Sequence, residues 1–66
     1  MIIIREVNNW RFIKDEIMGV TTFTNEDLKF QSLWNTGIDA EEEIEEVNTM
    51  SDSEFISYIM DKFDIN

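Results

Sequence analysis

The stretch IIIREVNNWRFIKDEIMGVTTF, residues 2–23, decides the fold, because it admits two readings that lead to different architectures. Ile2 to Val7 is β-branched and reads as a short strand. After it, Asn8 or Asn9 can cap a helix that carries Trp10, Ile13 and Ile17 and ends at Gly19. Trp10 and Phe12 also alternate, which a strand explains equally well. On the helical reading, residues 2–6 and 20–23 are left to form a two-stranded ribbon. Isolated ribbons are marginal, so this one needs a helix packed against it.

Beyond residue 23 the helix-start signals are clearer. Thr24 with Asp27 three residues on, and Phe23 placed to staple onto Leu28, predicts a helix over 25–35 that carries Leu33 and Trp34 and ends at Gly37. Asp39 with Glu42 predicts a second over 40–49, with Ala40, Ile44 and Val47 as a narrow buried stripe. The clearest begins at Ser51. Its side chain can take the Glu54 amide while Glu54 reaches back, and Met50 and Phe55 form the matching staple. Phe55, Ile56, Ile59, Met60 and Phe63 then make a wide apolar stripe, which predicts a helix over 52–64. The expected architecture is mainly α, three or four short helices with room for the small N-terminal β-ribbon, in one domain over residues 1–66.

Sixty-six residues fit one small domain, and below about 70 residues a core alone seldom supplies much stability. With no Cys and no His, disulfides and the commonest metal ligands are missing. Apolar residues make up 42% of the chain, and two Trp, five Phe and one Tyr supply bulky material for a core. The apolar run at the N-terminus is interrupted by Arg5 and Glu6, too early for a signal-peptide core or a membrane span. A cytoplasmic protein without cofactors is expected.

Charge is the most informative property. Five Lys and Arg stand against fifteen Asp and Glu, a net of −10, which disfavours direct contact with nucleic-acid phosphates or anionic lipid and favours a basic partner. Residues 1–35 hold four cations against five carboxylates, a net of −1, whereas residues 36–66 hold Lys62 alone against ten, a net of −9. Residues three or four apart on a helix lie about 5–6 Å from each other at Cβ, so Glu42, Glu45 and Glu46 would form a row of fixed anions. One DNA strand presents a phosphate about every 3.4 Å of axis, and a groove built for phosphates presents Lys and Arg at comparable spacing. Such a row can occupy that groove. Asp39, Glu41, Glu42, Glu43, Glu45 and Glu46, with Asp52 and Glu54 opening the next helix, are the candidate partner-binding residues. A Glu-rich face that merely keeps the chain in solution is the plainer alternative.

Other features carry less. Asp39 to Met50 can be laid on a calcium-loop pattern, but Ile44 stands where Gly is needed and Met50 where the closing Glu is needed. Trp10 and Trp34 can serve as interface anchors, and Ile2 to Ile4 can pair with another chain's sheet edge, although burial in the core is the commoner fate of such residues. The apolar face of residues 55–63 can likewise serve a homodimer. Catalysis would rest on carboxylates such as Asp15 with Glu16 or Asp61 with Asp64, with no pocket behind either pair, so no enzymatic activity is expected.

In size, lack of Cys and concentrated acid, the chain resembles the small inhibitors that bacteriophages and mobile elements use against host enzymes. Among them are DNA-mimicking uracil-DNA glycosylase inhibitors, anti-restriction proteins and anti-CRISPR proteins. Glu42-Glu43-Ile44-Glu45-Glu46-Val47 is similar to an acidic helix in a phage glycosylase inhibitor. The resemblance implies a non-enzymatic inhibitor of a basic nucleic-acid-binding host protein, with no direct contact to nucleic acid or membrane. An antitoxin or immunity-type protein against a basic toxin, or a helical adaptor binding through apolar residues, are the rival expectations.

Overall fold

Asn8 and Asn9 resolve the ambiguity of the N-terminal stretch. Both take positive φ, 50° and 70°, and Val7 pairs with Trp10 across them. Two consecutive left-handed residues make the two-residue turn whose twist matches a β-hairpin, and Asn tolerates that conformation better than other residues with a side chain. The asparagines therefore end one strand and start another; they cap no helix. In the computed structural model, which describes residues 1–32 and 35–65, the chain runs β1 (Ile2–Val7), β2 (Trp10–Asp15), β3 (Val20–Asn25), β4 (Phe30–Gln31), β5 (Asn35–Thr36), α1 (Gly37–Asn48) and α2 (Asp52–Phe63). It is a small α+β fold.

The mainly α expectation is therefore corrected to a five-stranded antiparallel sheet with two helices. β1, β2 and β3 form a meander, and β4 and β5 both pair with the free side of β3. The expected ribbon between residues 2–6 and 20–23 does not form, because β2 lies between them and pairs with both. Its Trp10 and Phe12 are buried and alternate with less buried neighbours, the period of two that a strand requires. Gly19, at φ 68°, closes the β2–β3 turn, where the Asp15 carboxylate accepts hydrogen bonds from the amides of Ile17 and Met18.

The helix expected over 25–35 is also replaced. Asn25 ends β3, and its side-chain oxygen accepts from the Leu28 amide at 3.2 Å, a local bond that offers the backbone a turn in place of a helical start. Phe23 sits in the core at 1% exposure while Leu28, its expected staple partner, is 60% exposed. Leu33 and Trp34, including Trp34 as an interface anchor, lie outside the described residues. Lys29 closes this turn at φ 53°, a left-handed conformation that a residue with a Cβ adopts at a cost of about 1 kcal/mol. Lys29→Gly is therefore expected to raise stability by about 0.5–1 kcal/mol, less whatever the glycine gains in unfolded-state freedom, read as an upward shift of the urea midpoint at unchanged slope.

Both C-terminal helices form. α1 starts earlier than expected: Thr36, not Asp39, holds the N-cap position, and no side-chain hydrogen bond caps it. α2 has the expected capping box, with Ser51 accepting from the Glu54 amide at 3.2 Å and the Glu54 carboxylate accepting from the Ser51 amide at 2.9 Å. From its stripe Phe55 and Ile59 are fully buried and Ile56 and Phe63 partly, whereas Met60 is 41% exposed. The core lies between the sheet and the helices and is largely aromatic. Phe12 and Phe23 pair across strands at 4.7 Å between ring centroids, Phe63 meets Phe23 edge-on at 5.6 Å, and Phe30 bridges Trp10 and Phe63 at 5.2 and 5.1 Å. Edge-on and tilted pairs of this kind add to what area burial supplies.

Candidate protein-binding face

α1 is placed by three contacts from other elements, and these determine which of its carboxylates face outward. Arg5 on β1 donates to the carbonyls of Val47 and Met50 at 2.8 and 2.6 Å and pairs with Asp52 at 2.9 Å. Val47 lies in the last turn of α1, where a cation answers both a helix-end carbonyl and the negative end of the helix dipole. Lys14 on β2 pairs with Glu41 at 3.2 Å. The third contact is Glu43, which is turned inward.

Glu43 is 5% exposed. Its carboxylate accepts from the Thr21 hydroxyl at 3.0 Å and the Tyr58 hydroxyl at 3.2 Å, and pairs with the Lys62 ammonium at 2.7 Å. One side chain on α1 thereby ties β3 and α2 together, and its charge is compensated by a cation and two hydroxyl donors, as a buried carboxylate requires. Burial raises the pKa of the Tyr58 hydroxyl above its ordinary value of 10.0. Burial pulls the Lys62 ammonium the other way, but the hydrogen bond and charge of Glu43, with a smaller contribution from Tyr58, outweigh it and hold Lys62 above 10.5. The inward position was legible in the spacing, since Glu43 occupies the i+3 place in the stripe that begins at Ala40 and continues through Ile44 and Val47.

With Ala40, Glu43 and Val47 directed at the core, helical geometry sends Asp39, Glu41, Glu42, Glu45 and Glu46 to the opposite side, and all five are exposed. Glu41 with Glu45, and Glu42 with Glu46, form two rows whose members are one turn apart. Among the described residues, Asp39, Glu42, Glu45 and Glu46 have no ion-pair partner; Arg5, Arg11 and Lys62 are paired with carboxylates off this face, and Lys14 with Glu41 on it. Lys14 thus compensates one of the five carboxylates and leaves the other four. Asp52 and Glu54 are exposed at the start of α2, but both serve the fold, Asp52 against Arg5 and Glu54 in its capping box. The hydrogen bond from the Ser51 amide, and after it the Ser51 side chain, lower the Glu54 pKa below 4.5.

Of the eight expected partner-binding residues, the structure brings five onto one helix face, places two at the neighbouring helix start and buries one. Sequence reasoning missed Arg5, Lys14 and Lys62 as the residues that position this face, for their carboxylate partners lie 27 to 47 residues away or on another helix. No cluster of His, Cys, Asp or Glu able to hold a metal ion occurs among the described residues. Beside the face, Met50, Ser53, Glu54, Ser57, Tyr58 and Asp61 line an open groove of about 380 Å³ on α2. No helix among the described residues is long and apolar enough to cross a membrane. No protein-family model, curated protein or solved structure matches the chain.

Proposed function

We propose that the protein is a non-enzymatic protein ligand of the phage-inhibitor kind, whose α1 face occupies the basic nucleic-acid groove of a host protein. The observation that carries this reading is the group of exposed carboxylates Asp39, Glu42, Glu45 and Glu46, without ion-pair partners among the described residues and held on a helix that Arg5, Lys14 and Glu43 fasten to the sheet. Like charges at this spacing repel and weaken the helix that bears them. A partner that presents Arg or Lys converts that repulsion into attraction. Carboxylates accept bidentate hydrogen bonds from Arg, and a strongly negative face accelerates the encounter at low salt.

The triple substitution Glu42→Gln, Glu45→Gln, Glu46→Gln tests it. Its targets are proteins retained from a bacterial lysate at low salt and displaced by duplex DNA. The variant is expected to retain none of them while unfolding at a slightly higher urea concentration than the parent, because like-charge repulsion has been removed. Undiminished retention by the triple variant, or retention indifferent to salt and to DNA, would remove the acidic face from the interaction.

A further inference from the structure

Both helices cover one face of the sheet, and the register assigns the other face to Ile3, Ile13 and Thr22 in one row and Glu6, Arg11 and Thr24 in the next; on β3 this face is closed, with Thr22 5% and Val20 7% exposed, so its open part lies on β1 and β2. A sheet face that is not covered is ordinarily polar. Here Met1 and Ile3, 83% and 54% exposed, join the partly buried Ile13 in lining an open cleft of about 430 Å³ with Arg11, Thr24 and Glu26.

The geometry points to a second copy of the chain as the occupant of this face, in a homodimer whose outer sheet surfaces pack across a two-fold axis centred on Met1, Ile3 and Ile13. Charge selects this orientation. The carboxylates of α1 lie on the opposite layer, so two copies meeting sheet to sheet carry their acidic helices outermost, whereas any approach through the helices opposes like charges. On the outer face Arg11 stands between Glu6 and Glu26, at 3.4 Å from the latter, and the pair remains 39% and 81% exposed. Across a two-fold axis Arg11 of each copy can therefore reach Glu26 of the other, a self-complementary contact of the kind such symmetry requires.

This inference is separate from the proposed role of α1, and salt acts on the two in opposite directions.

Sedimentation equilibrium of the full chain, from about 10 µM to about 1 mM protein and from about 50 to about 500 mM salt, provides the test. The expected result is a monomer–dimer equilibrium that tightens as salt screens the net charge. Ile3→Thr, at an exposed position where the fold is not at stake, and Ile13→Thr are each expected to weaken it about tenfold. The Glu42, Glu45, Glu46 triple glutamine variant should dimerise as well as the parent or better. A monomer under all conditions, a dimer indifferent to both isoleucine substitutions, or a dimer that dissociates on adding salt would each overturn the assignment.

Discussion

Phe23→Ala is expected to remove a large share of the fold's stability and to lower its thermal transition far below the parent's. Phe23 is 1% exposed at the centre of β3, and its ring meets those of Phe12, Phe55, Tyr58 and Phe63, so it belongs to the sheet and to the α2 contact surface together. Truncating a buried Phe removes about 3–5 kcal/mol. At roughly 0.05–0.15 kcal/mol per residue, a chain of this length has about 3–10 kcal/mol in all. The loss therefore ranges from about a third of the reserve to all of it, and circular dichroism of the variant should show a cooperative thermal transition far below the parent's or none. Leu28→Ala supplies the contrast. At 60% exposure it should change stability by no more than about 0.5 kcal/mol. Were residues 25–35 a helix with Phe23 stapled onto Leu28, the two substitutions would instead cost similar amounts, so equal effects would refute the strand assignment of β3.

Lys62→Met is the second large effect, expected near the lower end of the roughly 3–5 kcal/mol lost when one partner of a buried ion pair is removed. It leaves the Glu43 carboxylate 5% exposed with two hydroxyl donors and no cation. The lower end applies because the Lys62 side chain is 31% exposed, so water reaches the site once the ammonium is gone. Adding Glu43→Gln should restore most of the loss, because the amide oxygen can accept from one of the two hydroxyls while its NH2 donates to the oxygen of the other, and no unpaired charge remains. A double variant no more stable than Lys62→Met would show that the charge of Glu43 is not what Lys62 compensates.

The same network sets an alkaline limit in the parent. Tyr58 and Lys62 both hold their protons more tightly in the folded state, so their contribution is fully present below the ordinary values of 10.0 and 10.5 and is lost as pH rises through the raised ones. The urea midpoint should stay flat with respect to these groups up to about pH 9 and fall beyond it, more steeply in the parent than in Lys62→Met.

The acidic face was legible because charge and helical period are properties of residues close in sequence. Asp39 to Glu46 fall on one helix, and knowing the period suffices to know which of them share a side. The burial of Glu43 could be read only from its place in the apolar stripe, for its residue type points outward. The N-terminal half misled for a related reason. Thr24 with Asp27, and Asn8 before an apolar run, satisfy the local grammar of a helix start, but the same side chains satisfy a turn equally well.

The amino-acid sequence by itself determined α2 with its capping box, the presence and outward charge of α1, and the concentration of acid in the C-terminal half. Each of these is decided within a few residues, by hydrogen bonds from side chain to nearby backbone and by the 3.6-residue period. Tertiary structure alone decided that Asn8-Asn9 and Glu26 to Lys29 are hairpin turns, that Phe12 and Phe23 face each other across neighbouring strands, and that Glu43 lies between Thr21 and Lys62. A strand pair supplies half of each hydrogen-bonding ladder from residues distant in sequence. Its stability therefore cannot be read from either strand until the partner and the helices covering both are in place.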